Sequence, residues 1–235
     1  MLYRLTKSKF ILGLQCEKAL YLDTFKPQLA YYPPETLARF RRGRDFEAKV
    51  KALFPNDIDI SQRLGRNIQK YPELTAQMLA QPGVINLYEA GFLYNEVLIL
   101  ADVVHKEADG TLSVYEIKNS SSVKEVFRRD VSLQHYVIRN ALSNLNRTPL
   151  PHPYRLTSFT LLYNDGDDNP VHEELLSSAQ ESESLIDSQV KHLQQVLQGL
   201  EPNIPVDDHC TTPYACPFQR YCARQISSQL ELSIL

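Results

Sequence analysis

Glu116 and Lys118, separated only by Ile117, place a carboxylate and an ammonium two positions apart near the middle of the chain. On a strand, side chains alternate, so Glu116 and Lys118 share one side and Ile117 turns to the core. Asp102 lies upstream with 13 residues between it and Glu116, a separation that a tight hairpin can close. Two carboxylates at one spot raise each other's pKa unless a divalent cation neutralises them. Oxygen donors of this kind suit Mg²⁺ or Mn²⁺. A lysine beside such a cation orients water and favours its hydroxide form, the chemistry that phosphodiester hydrolysis requires.

A second set of residues is soft rather than hard. Three of the 4 cysteines, Cys210, Cys216 and Cys222, stand at 5-residue gaps in HCTTPYACPFQRYC, and the fourth, Cys16, lies near the start. Four thiolates suit zinc or an iron–sulfur cluster. Zinc sites more often use paired C-x₂-C knuckles, so these gaps and one remote cysteine fit a four-iron cubane better. Two disulfides would suit a small secreted protein. The chain has 235 residues, and its opening MLYRLTKSKFILGLQCEKAL carries charges through the apolar stretch without a small-residue cleavage site. It reads as cytoplasmic, with no membrane partner.

The elements that must position these residues follow from periodicity and turn signals. A first helix is expected over 8–21, with Ser8 as N-cap and Phe10, Leu14 and Ala19 on its apolar side. Pro33-Pro34 opens a second helix through Leu53, and PELTAQML forms a short third one stopped by Pro82-Gly83. Strands are expected over 84–94, 97–106 and 112–118, joined by Asn95-Glu96 and by the turn EADG, as an antiparallel meander. A helix over 123–143, a strand over 154–163 and a helix over 184–200 come next. After Pro202 the chain reads as irregular. Strands grouped centrally among helices indicate a mixed α/β fold, and Cys16 joins the other cysteines only if the two ends meet.

Charge narrows the function classes. With 25 Lys plus Arg against 28 Asp plus Glu, the chain carries −3. A globally basic nucleic-acid binder is excluded, so any nucleic acid must be held by a local patch. Arg41, Arg42 and Arg44 on the second helix, with Lys124 and Arg128 after the E-x-K strand, are the candidates for phosphate contact. Tyr31, Tyr32 and Tyr94 are candidates for stacking on bases.

Taken together, D-x₁₃-E-x-K, the one-plus-three cysteine layout and Gln134 on the following helix resemble one family. The chain is similar to PD-(D/E)XK nucleases of the RecB-like iron–sulfur branch, which includes the CRISPR-associated spacer-acquisition nuclease and the AddB nuclease domain. LTKSKFILGLQCEKALYLD and the cysteine tail look most like the N-terminal nuclease module of an uncharacterised bacterial family. The resemblance spans nearly the whole chain, and its specific part is the cysteine layout. It implies that Asp102 and Glu116 are metal carboxylates, Lys118 the catalytic lysine and Gln134 the start of a Gln-x₃-Tyr helix motif. Four positions after Gln134 stands Ile138, with Tyr136 the nearest tyrosine. In GRDFE, Glu47 takes the place of the family's metal-binding histidine, and a glutamate also suits Mg²⁺.

The resemblance therefore implies a single domain over 1–235 with a restriction-endonuclease-like central mixed sheet flanked by helices. Its N- and C-terminal segments, 1–30 and 202–225, would be joined by a [4Fe–4S] cluster on Cys16, Cys210, Cys216 and Cys222. Mg²⁺ or Mn²⁺ would sit on Glu47, Asp102 and Glu116. The implied activity is metal-dependent cleavage of DNA, exonucleolytic on single-stranded ends, by a deoxyribonuclease. A further domain or partner protein in DNA repair or defence is also implied, and the ending at Leu235 fits a longer protein. Two rival expectations stand beside it: a nucleic-acid-binding module disabled by Glu47, and a zinc-stapled interaction module.

Overall fold

The computed structural model describes residues 5–55, 57–167 and 169–232. They form two compact units: Met1–Lys7 with Arg39–Asp187, and Ser8–Ala38 with Ser188–Leu235. Of the expected segments, residues 1–4 and 233–235, with positions 56 and 168, lie outside the described residues.

The first unit is built on a mixed sheet of seven strands: β1 (Leu5–Thr6), β2 (Asp57–Asp59), β3 (Ile85–Tyr94), β4 (Val97–Lys106), β5 (Thr111–Lys118), β6 (Arg155–Asn164) and β7 (Pro170–Glu174). Their order is β2-β3-β4-β5-β6-β7, with β1 against β4. The meander β3-β4-β5 is antiparallel as the turn signals indicate, while β5 and β6 are parallel. The β3–β4 turn is two residues long, and both Asn95 (φ 46°) and Glu96 (φ 56°) adopt the left-handed conformation that matches strand twist.

β1 and β5 occupy the same edge of β4 at different heights. β1 pairs at Val97 and Leu98, and β5 only from Val103 onward. Between them Ile99 to Asp102 have no strand partner on that edge, and β5 departs from β4 beyond Tyr115. This opening is where the candidate functional residues collect.

Helices cover both faces. Phe46 and Val50 of α3 (Pro34–Lys51), numbered after α1 (Lys7–Gln15) and α2 (Glu17–Phe25), pack with Tyr88, Val103, Ile117 and Leu162. α4 (Ile60–Leu64) and α5 (Tyr71–Leu79) lie against β3. Gly91 is required there, because a Cβ would stand 2.5 Å from Tyr71 Cβ. α6 (Glu125–Leu145) crosses between β5 and β6 and packs on β3, β4 and β6. α7 (Leu176–Glu181) follows β7, and α8 (Glu183–Val196) leads into the second unit.

The second unit joins the two ends of the chain through α1, α2, α8 and α9 (Gln219–Leu232). Two expectations are corrected here. The first helix is not continuous: Cys16 is extended (φ −161°, ψ 116°) and caps α2, and Ser8 lies inside α1 instead of capping it. A single extended residue leaves helical periodicity on both sides intact, so pattern reading passes over it. The tail after Pro202 is also not irregular throughout, since α9 carries Cys222. Among the described residues, no helix is long and apolar enough to cross a membrane.

Candidate functional site

Strand alternation and the opening beside β4 bring the hard residues together. The Ile117 side chain packs under α3, as expected, while its N–H donates to Asp102 Oδ2 at 2.8 Å across the opening. Glu116, on the other side of β5, has no solvent exposure. Gln134 of α6 donates to Glu116 Oε2 at 2.8 Å and to Asp130 Oδ1, one helical turn earlier, at 3.2 Å. Lys118 pairs with Glu116 and, at 2.7 Å, with Asp130. Gln134 Oε1 is buried without a partner. Asp102, Glu116 and Lys118, singled out by their spacing, thus converge with Gln134, singled out by the resemblance.

Two further carboxylates, Glu47 and Glu89, flank this set on the Asp102 side. One oxygen from each of Glu47, Glu89 and Asp102 lies within 4.8 Å of the others, among the described residues the one such group of metal-type donors. Phe46 and Val50, either side of Glu47, anchor α3 and so hold Glu47 over the sheet. Glu89 falls opposite Asp102 in the β3–β4 register, which is interrupted only at that position, and adopts φ 53°. Facing carboxylates destabilise a sheet pair. Lys51 partly offsets them, reaching Glu47 at 2.6 Å and Glu89 at 2.7 Å.

Glu89, Lys7, Asp130 and Lys51 escaped the sequence reading. Glu89 was readable in principle, because a two-residue turn at Asn95-Glu96 sets the hairpin register and pairs Glu89 with Asp102. Lys7 carried no such signal. Its ammonium lies 2.8 and 3.0 Å from the two oxygens of Glu116 and 3.8 Å from Asp102 Oδ1. The expected ligand set Glu47, Asp102 and Glu116 is therefore divided. Glu47 and Asp102 group with Glu89, while Glu116 is engaged by Lys7, Lys118 and Gln134.

The electrostatics follow from burial and charge count. Burial pushes the Asp102 carboxyl up to about 8, helped by Glu116 and opposed by Lys7 and Lys118. Burial works the same way on Glu116, but Lys118 and Lys7 outweigh it and hold that carboxyl below its ordinary range. For Lys118, burial is outweighed by Asp130 and Glu116, so its ammonium is held above the ordinary lysine range. Five carboxylates, on Glu47, Glu89, Asp102, Glu116 and Asp130, face three ammonium groups, on Lys7, Lys51 and Lys118. Fully ionised, the set carries two excess negative charges. An all-oxygen donor group with that excess fits one hard divalent cation.

The basic candidates lie on two sides of this unit. Arg41, Arg42 and Arg44 are exposed on α3, and the Arg42 carbonyl accepts from Asn119, just after the E-x-K strand, at 3.0 Å. Lys124 is exposed at the start of α6, whereas Arg128 is ion-paired with Glu173. Of the aromatic candidates, Tyr94 packs edge-on against Tyr136, and Tyr31 lies under the Arg220 guanidinium.

The soft residues occupy the second unit. Cys16, Cys216 and Cys222 pack around Ala19, Leu22 and Phe218, and Cys210 is buried. All four are free thiols, and the charges of Cys16, Cys210 and Cys222 each act on Cys216. Burial pushes the Cys216 thiol up to about 11, and raises Cys16 and Cys222 as well. The backbone N–H groups of Ala19 and Lys18 near Cys16, and that of Phe218 near Cys216, act against this shift and favour thiolate. Gln15 ties down the cysteine-bearing loop, donating to the carbonyls of His209 and Tyr214 at 2.7 Å each. Four convergent thiols supplied with N–H donors fit a thiolate-bound metal group.

No protein-family model matches this chain, and no curated protein matches it either.

Proposed function

We propose that the chain is a divalent-metal-dependent deoxyribonuclease of the PD-(D/E)XK type, with a restriction-endonuclease-like sheet, acting on single-stranded DNA ends. The observation that carries this reading is the convergence of Asp102, Glu116, Lys118 and Gln134 from β4, β5 and α6 at the opening beside β4. Glu47, Glu89 and Asp102 would hold Mg²⁺ or Mn²⁺, with Glu116 alongside. The cation supplies positive charge toward a phosphodiester and its attacking water.

The chain's own residues do the rest. Lys118, fixed between Glu116 and Asp130, presents an ammonium that stays protonated through the neutral range and offsets charge developing on phosphate oxygens. Gln134 Oε1, lacking a protein donor, is an acceptor for a water proton. Arg41, Arg42 and Arg44 would hold the DNA backbone through phosphate contacts, with Lys124 at the start of α6.

In the second unit, we assign Cys16, Cys210, Cys216 and Cys222 to a [4Fe–4S] cluster with a structural role. Spacing supports the cluster over zinc. Cys210, Cys216 and Cys222 stand at 5-residue gaps with one remote cysteine, without the paired C-x₂-C knuckles usual for zinc.

A specific observation favours one rival reading, a binding module without cleavage: Glu116 is saturated by Lys7, Lys118 and Gln134. Incubation of end-labelled linear and circular single-stranded DNA with the protein and Mn²⁺ separates the readings. Degradation of the linear form alone is expected. Binding of both forms without product establishes the binding module.

A further inference from the structure

We propose that Lys7 is a built-in cation of the site: its ammonium takes the place between Glu116 and Asp102 where a second divalent ion would otherwise bridge them. The site then holds one divalent ion, on the Glu47–Glu89–Asp102 side. This rests on the reading of the site as a divalent-metal centre.

The placement follows from the sheet. β1 ends at Thr6 against Leu98, and β5 regains the same edge of β4 only at Val103. Lys7 is the next residue, and its side chain enters the interval between the two strands. Both Glu116 oxygens bind the ammonium, at 2.8 and 3.0 Å, and Asp102 Oδ1 lies 3.8 Å away. A surface lysine paired by chance holds one oxygen of an exposed carboxylate and gains little. Lys7 instead holds both oxygens of a carboxylate with no solvent exposure.

Lys118 does not duplicate this role. It has a second carboxylate in Asp130, which draws it toward α6. Lys7 is within 4 Å of both members of the Asp102–Glu116 pair, whereas Lys118 acts on Asp102 only from farther away. Without its charge, two buried carboxylates would face each other with only Lys118 nearby, and such a pair recruits a cation. With it, Glu116 is neutralised locally, and Asp102 remains available to Glu47 and Glu89.

The test counts Mn²⁺ by the loss of the free-ion electron paramagnetic resonance signal on titration, in wild type, Lys7→Met and Lys7→Arg. Folding is followed by circular dichroism. One ion per chain is expected in wild type and in Lys7→Arg. Lys7→Met is expected to take two, the second within about tenfold of the first in affinity. Two ions in wild type, or one in a folded Lys7→Met, overturns the proposal. If Lys7→Met does not fold, the wild-type count decides alone. Two ions with intact DNA cleavage removes only the role of Lys7, whereas no bound ion removes the metal-dependent reading with it.

Discussion

Replacing Glu47 by glutamine separates a metal ligand from an ordinary ion pair. Its side chain touches Lys51 at 2.6 Å, one helical turn on, and lies within 4.8 Å of carboxylate oxygens of Glu89 and Asp102. At an effective dielectric constant of about 20, the attraction is about 6 kcal/mol and each repulsion at least about 3 kcal/mol. Asp102, pushed up to about 8, contributes its repulsion only in part at neutral pH. The side chain is 29% exposed, which scales attraction and repulsion down together. The repulsions offset about half of the attraction, and exposure scales down the rest, leaving a stability change of at most about 2 kcal/mol, or a Tm shift under about 8 °C. Cation binding has no such compensation. Loss of one of three carboxylates is expected to weaken Mn²⁺ at least about tenfold, the lower end for groups that merely support a ligand. Calorimetric titration with Mn²⁺ beside thermal melting checks both halves. Unchanged Mn²⁺ affinity with a lowered Tm would assign Glu47 to Lys51 alone and refute the reasoning.

Three further outcomes follow from particular contacts. Cys16→Ser is expected to bleach the visible absorption of anaerobically purified protein and lower its Tm; stoichiometric zinc without iron in the wild type would sink the cluster. Gly91→Ala forces a Cβ to 2.5 Å from Tyr71 Cβ, and denaturant melts are expected to show a loss of about 2 kcal/mol. At Glu174 burial raises the carboxyl, but hydrogen bonds from Ser158, Phe159 N–H, Leu176 N–H and Thr160 outweigh it and bring it below its ordinary value. The ionised form therefore stabilises the fold above the unfolded pKa of about 4.3, and that contribution is lost as pH falls through the lower folded value. Tm profiles of wild type and Glu174→Gln are expected to differ at pH 7 and to converge in acid; a constant gap would contradict this.

What the sequence revealed tracks where side-chain pattern alone decides structure. Asp102, Glu116 and Lys118 were readable because long strands alternate and the short turn EADG folds β5 back on β4. Gln134 was readable from the resemblance, and α6 places it one turn after Asp130, against Glu116. The short strands β1, β2 and β7 were not readable, since two to five residues leave too little alternation to see. Lys7 was hidden for that reason: only the seating of β1 on β4 makes a helix-start lysine into a partner of Glu116. Cys16 was found by residue type, but its extended backbone leaves the helical periodicity on either side intact and so gives no sequence signal.

The most direct test of the central claim is the rate at which Lys118→Ala cuts linear single-stranded DNA in saturating Mn²⁺. Lys118 lies between Glu116 and Asp130, with its ammonium held above the ordinary lysine range. Its loss is expected to lower the rate by about 100- to 1,000-fold, as for one charge-stabilising donor, with Mn²⁺ binding retained. Cleavage by Lys118→Ala at the wild-type rate would contradict the account.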